Sequence, residues 1–312
     1  MSCLFSVNGV NYRKNERKPV TGVKIQPKYK GILMILLSAL CFACMNMCVR
    51  MSGDVPTLQK SFFRNIIAAG VAAVMLVRQG GGFRPASRGN VPYLLARAIC
   101  GTVGVLGNFY AVDHLVLSDA SMLNKMSPFF AVVASMFLLK EKLAPAQVAA
   151  LAGAFVGALC IIKPTFSNMN LTASLVGFAG GLGAGVAYTF VRMLGKRGER
   201  GSYIVFFFSA FSCLVALPYV LFEGVPMTIE QTLWLIGAGL TAAVGQFAIT
   251  AAYSCAPARE ISVFDYSQVI FSAIIGFLVF GDVPDGLSFL GYFVICSMAI
   301  LNFWYNNHCR KA

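Results

Sequence analysis

The feature that most constrains this chain is a recurrence of apolar runs of about twenty residues. They occupy 31–49, 60–77, 92–112, 119–139, 145–162, 174–194, 202–222, 229–252, 260–280 and 286–305. A helix rises ~1.5 Å per residue and crosses ~30 Å of hydrocarbon in about 20 residues, so each run has bilayer length. The runs are continuous and lack the alternation of a barrel strand; in lipid, the structure that satisfies such a backbone is a helix. Turn-forming residues punctuate the connections at Gly80-Gly81-Gly82, Pro92, Pro145, Pro164, Pro226 and Pro284. Composition agrees: 58% of residues are hydrophobic and 12% charged, where soluble domains carry ~25% charge. A water-soluble surface cannot be covered with so few charges, and a disordered chain would not be so apolar.

The excess of 25 basic over 12 acidic residues raises nucleic acid as a partner, and its distribution answers the question. Arg13, Lys14, Arg17, Lys18, Lys24, Lys28 and Lys30 follow a weak apolar stretch instead of preceding one, so residues 1–30 read as a basic cytoplasmic tail and not a secretory signal. With the tail inside, Arg78, Arg84, Arg88, Lys140, Lys142, Arg192, Lys196, Arg197, Arg200, Arg259, Arg310 and Lys311 fall on the same side. Arg50, Lys60 and Lys163 fall outside. The asymmetry orients a multi-pass protein of the cytoplasmic membrane with both termini inside. It leaves no basic face for nucleic acid.

The chain also repeats itself at an offset of about 142 residues. Cys48-Val49-Arg50-Met51 matches Phe190-Val191-Arg192-Met193; Asn108-Phe109-Tyr110-Ala111 matches Ala251-Ala252-Tyr253-Ser254; Lys140-Glu141 matches Gly281-Asp282. Five runs per half is an odd number, which places the halves in opposite orientations, the inverted-repeat plan of secondary transporters. The expected fold is an all-α integral membrane protein with ten transmembrane helices as two inverted five-helix repeats.

The run Leu94–Gly104, then Asn108-Phe109-Tyr110-Ala111, then Ser118–Phe130, closing at Lys140-Glu141-Lys142-Leu143, resembles the first EamA-type repeat of the drug/metabolite transporter superfamily. Ser262-Val263-Phe264, Gly281-Asp282 and Gly291 carry the resemblance into the second half. It implies repeats at 31–163 and 174–305, a cytoplasmic tail at 306–312, a central cavity between the halves, and alternating access.

Enzymatic and metal motifs are nearly absent. Only His114 and His308 are present, so no His-rich metal site can form, and no cofactor motif is legible. Cys41, Cys44 and Cys48 share one face of an apolar helix and read as packing. Gly101-x-x-Gly104-x-x-Gly107, Gly153-x-x-x-Gly157, Gly177-x-x-x-Gly181-x-x-x-Gly185 and Gly181-x-Gly183-x-Gly185 lie inside lipid-length helices, where small residues let neighbours approach, rather than on nucleotide loops. Pro128 and Pro218 are expected to kink their helices or to act as hinges.

The informative residues are the ionisable groups inside spans, which usually face a cavity or a partner. Counting rise along straight helices puts Arg64 and Lys125 in the outer third, and Arg97 and Asp265 in the inner third. The ~12 Å left between Lys125 and Asp265 makes Arg97–Asp265 the expected structural ion pair. Polar and aromatic neighbours complete a candidate solute site: Asn46, Arg64, Asn108, Tyr110, Asn124 and Lys125 from the first half, with Tyr188, Gln246, Tyr253, Asp265, Tyr266 and Gln268 from the second. In-span cations favour a carboxylate or another anionic group. The competing reading has Arg64 snorkelling to the outer interface and Lys125 pairing with Asp119. Glu141 and Asp282, at equivalent span ends, read as structural or gate contacts.

The expected function is a secondary transporter of a small polar organic solute, anionic or zwitterionic, with a proton or sodium ion as candidate coupling partner and a second copy of the chain as candidate oligomeric partner. A membrane-embedded lipid-modifying enzyme would need an interfacial cluster of His or Asp, and a receptor or scaffold would need an extramembrane domain. Neither feature is visible.

Overall fold

The computed structural model describes residues 27–80, 82–114, 123–162, 171–281 and 286–308. Within them every one of the ten apolar runs carries helix, and no strand occurs among the described residues. The helices are α1 (Pro27–Met51), α2 (Thr57–Arg78), α3 (Val91–His114), α4 (Ser127–Leu139), α5 (Pro145–Ile162), α6 (Leu171–Lys196), α7 (Gly201–Glu223), α8 (Ile229–Cys255), α9 (Ala258–Ile261), α10 (Ser267–Ile275) and α11 (Gly286–His308). Eight described segments are long and apolar enough to cross a membrane, one of them the broken segment Ala258–Val279; α4 and α5 are shorter apolar helices. This is an integral membrane protein.

Two of the expected spans depart from straight helices. The run at 119–139 is interrupted: Leu123 and Asn124 are helical, Lys125 and Met126 form a turn, and α4 begins at Ser127, so Lys125 sits just before the helix N-terminus instead of inside it. Residues 119–122 lie outside the described residues. Pro128 consequently occupies the first turn of α4, where its missing N–H has no partner to lose, and it causes no kink there. Pro218 does lie inside its helix, α7. The run at 260–280 breaks into α9, a 3-10 stretch Ser262–Tyr266, α10 and a π turn Gly276–Phe280. Ser and Asp side chains compete with the helical ladder for backbone groups, and Ser262, Asp265 and Ser267 are concentrated at this break.

The core lies between the helices. The principal neighbours are α3 with α6, α1 with α8, α5 with α11, and α2 with α7; α4 also packs on α6, and α1 on α10. Exchanging the first five runs for the last five maps this set of pairs onto itself. Small residues make the closest approaches. At the α3–α6 crossing a methyl group on Gly107 would stand 2.7 Å from Val176 O and 2.8 Å from Gly180 Cα, so only glycine allows this spacing. The fourth and ninth runs are capped in the same left-handed conformation, by Lys140 at φ 53° and Gly281 at φ 72°. Lys140 is the only non-glycine residue with positive φ among the described residues.

The loop between α2 and α3 is tied to the turn between α6 and α7. The Glu199 carboxylate, buried, accepts from Ala86 N at 3.1 Å and from Asn90 Nδ2 at 2.9 Å. Arg200 donates to the carbonyls of Gly82 and Arg84 at 3.1 and 2.6 Å. Glu199 and Arg200 together clasp the two loops.

Candidate functional site

Breaks in regular helix bring the ionisable groups together at the centre of the bundle. The turn before α4 presents Lys125, and the 3-10 stretch presents Asp265 and Tyr266. Lys125 Nζ lies 3.7 Å from Asp265 Oδ2 and donates to Gln268 Oε1 at 2.6 Å. Tyr266 OH donates to the Lys125 carbonyl at 3.1 Å, so a side chain of the second half satisfies a carbonyl in the turn before α4. Lys125, Asp265 and Tyr266 are all buried.

The expected Arg97–Asp265 pair is therefore replaced by Lys125–Asp265. The depth estimate assumed straight helices. Instead, Lys125 leaves α4 altogether, and the 3-10 stretch rises ~2.0 Å per residue instead of ~1.5. The flexible four-carbon stem of lysine covers the remaining distance.

Around this pair stands an aromatic layer. Tyr188 of α6 stacks on Tyr253 of α8, ring centroids 4.8 Å apart and planes 10° from parallel. Tyr253 OH lies 3.1 Å from Ser262 Oγ. Arg64 of α2 and Arg97 of α3 are buried on helices that both pack on α7. Arg97 lies with its guanidinium carbon 4.1 Å from the centroid of the Phe208 ring. Gln246 is buried on α8. The arrangement offers ammonium, guanidinium, carboxylate, amide and phenol groups in one enclosed region, as recognition of a polar solute in a low-dielectric interior requires.

Four sequence candidates stay apart from this cluster. Asn46 is exposed on α1, and Tyr110 is exposed and stacks on His114 at 4.0 Å between centroids. Asn108 and Asn124 are half-buried, and their side chains make no hydrogen bond among the described residues. Asp119 and Asp282 lie outside the described residues. Arg64 is 9% exposed, which does not match a side chain snorkelling into water. Sequence reasoning missed Ser262 and Phe208. A signal for the bed of Arg97 was nonetheless present, since Gly101 follows it by one helical turn, where a guanidinium lying along the helix needs room.

A second group closes one end of the bundle. Glu141 lies 3.8 Å from Arg192 Nε and 3.4 Å from Lys196 Nζ, and Arg192 donates to Ser254 O at 2.9 Å. Arg259 donates to Lys142 O. These groups border a cleft of about 640 Å³ at the helix ends, separate from the buried central cluster. No group of three or more His, Cys, Asp or Glu fit to hold a metal ion occurs among the described residues.

Comparison with known proteins places this geometry in context. Residues 29–163 match the EamA-like transporter family. The chain is 34% identical to the pseudopaline exporter CntI of Pseudomonas aeruginosa over 263 residues, 84% of this chain and 91% of that one. It is 28% identical to a riboflavin transporter of Vibrio cholerae over 299 residues, 90% of this chain and 96% of that one. A solved crystal structure at 18% identity superposes with a TM-score of 0.78, covering 88% of this chain and 97% of its own, and shares the fold.

Proposed function

Given that this chain belongs to the EamA-like transporter family, we propose that it is a secondary transporter moving an anionic or zwitterionic metabolite by alternating access. Membrane transport of small metabolites, and not enzymatic chemistry, is what the family establishes. The finer reading rests above all on one observation: buried Arg64, Arg97, Lys125, Tyr253 and Asp265, with half-buried Tyr188 stacked on Tyr253, draw on both halves. Such a site is reached from either side by rocking one half against the other.

Two further features favour inverted repeats. The principal helix pairs exchange among themselves when the halves are exchanged, and equivalent residues cap the fourth and ninth runs in the same conformation. The charge asymmetry puts the Glu141–Arg192–Lys196 cluster on the cytoplasmic side, where it acts as an inner closure. Lys125 and Asp265 offer opposite charges to a solute carrying both. A carboxylate displaces Asp265 from Lys125, while an amino group engages the freed Asp265.

Purified protein in liposomes tests the reading. Solute uptake without ATP hydrolysis is expected, with Lys125→Gln abolishing transport of anionic and zwitterionic solutes while the protein stays folded. Unchanged apparent affinity of Lys125→Gln for every transported anion would refute the site.

A further inference from the structure

The charges of the central cluster do not balance. Lys125 has Asp265; Arg64 and Arg97 have no carboxylate within 4.0 Å among the described residues. Both are deeply buried, Arg64 at 9% and Arg97 at 2% exposure. Arg64 Nε and Arg97 Nε and Nη1 are sealed from solvent without a hydrogen-bond partner. Their helices, α2 and α3, pack on the same stretch of α7: Cys213 Sγ lies 3.8 Å from Phe62 O, Thr102 Oγ1 lies 2.8 Å from Ser212 Oγ, and Arg97 lies on Phe208. Buried like charges in a low-dielectric interior repel, and the desolvation of each remains uncompensated.

The bed of Arg97 is built. Its Nη1 lies in the space that a Cβ on Gly101 would fill, and the Phe208 ring supports the other face of the head at 4.1 Å. A cation–π contact offsets part of the desolvation but supplies no hydrogen-bond acceptor, so the fork stays unsatisfied. Were Arg97 there only to pack, an apolar side chain would serve better. A buried cation held in place by packing, with donors left free, fits a group that arrives with the cargo.

We infer that Arg64 and Arg97 together form a subsite for a solute carrying two negative charges, as two carboxylates or as one phosphate monoester. Lys125 and Asp265 keep the roles given above, engaging a further carboxylate and an amino group. The inference rests on the central cluster being the solute site. It adds a charge requirement that the proposed function does not contain, with the arginine pair as a second anion-binding point beside Lys125.

Binding to purified protein in detergent, followed by calorimetry and by thermal stabilisation, separates this inference from the transport reading. The probes are succinate, glutarate and adipate against their monomethyl esters, which keep size and remove one charge, with glycerol 3-phosphate against glycerol as the phosphate arm. Diacid or phosphate is expected to bind at least tenfold tighter than its partner of lower charge. Arg64→Gln and Arg97→Gln should each abolish that preference while raising the melting temperature of the ligand-free protein, because an unpaired buried cation is gone. Gly101→Ala keeps both charges and displaces the Arg97 head, and should reduce the preference similarly. Half-esters binding as well as diacids, or a preference that survives both arginine variants, overturns the inference. Dianion binding that follows the arginines, in protein that transports nothing in liposomes, would sustain the subsite and refute the transport mechanism.

Discussion

Replacing Asp265 by Asn removes the carboxylate that faces Lys125 and leaves a buried ammonium. At 3.7 Å and an effective dielectric of ~20, the lost attraction is about 4 kcal/mol. Breaking a buried pair by removing one partner typically destabilises by roughly 3–5 kcal/mol. The 2.6 Å bond from Lys125 to Gln268 survives and keeps one ammonium proton satisfied, so the lower part of that range, ~3 kcal/mol, is expected. Lys125→Gln should also destabilise. The double variant removes both charges and should recover most of the loss, giving a coupling energy of roughly 2–3 kcal/mol, within the span seen for residues in direct contact. Reversible unfolding in mixed detergent and SDS micelles, read by loss of helical circular dichroism, measures all four corners of the cycle. A parallel cycle of Asp265→Asn with Arg97→Gln should be additive within ~0.5 kcal/mol, since Arg97 lies on Phe208 and not on Asp265. If the Lys125 and Asp265 effects simply add, or if Arg97 couples to Asp265 more strongly than Lys125 does, the pairing described here is wrong.

Further tests address packing, gating and topology. A methyl group at Gly185 would stand 2.6 Å from Phe130 Cβ and 2.7 Å from both Ala131 N and Ser127 O, so Gly185→Ala should destabilise by about 1–3 kcal/mol despite its helix preference. Gly70→Ala, in open space, should be neutral or stabilise by up to ~1 kcal/mol, and equal effects in the same micelle titration would contradict the close α4–α6 approach. Glu141→Gln weakens the closure with Arg192 and Lys196, so in a background without other cysteines Ser254→Cys should react several-fold faster with a water-soluble maleimide in inside-out vesicles; an unchanged rate argues against a gate. Labelling should reach Lys60→Cys from outside, and Arg84→Cys and Arg197→Cys only from the cytoplasm, and external labelling of Arg84→Cys would invert the topology.

The all-helical membrane class was legible because it depends on quantities that a sequence carries one residue at a time. Apolar runs of bilayer length mark helices, and each of the ten runs carries helix among the described residues. The small residues at Gly104, Gly107 and Gly183 likewise announced a close crossing, because inside lipid-length helices they let backbones approach. The identities of most site residues were legible for a similar reason: a charge within an apolar run needs a partner, so Arg64, Arg97, Lys125 and Asp265 stood out.

Which charge faces which was decided by tertiary structure alone. Depth along an ideal helix favoured Arg97 for Asp265, but Lys125 stands in the turn before α4, and Asp265 in a 3-10 stretch whose rise is greater. The same irregularity left Arg97 to Phe208, a neighbour more than one hundred positions away that no local pattern could assign. Periodicity reports faces and lengths within one helix; the pairing of buried charges depends on where helices break and how their ends meet, and only the packed bundle determines that.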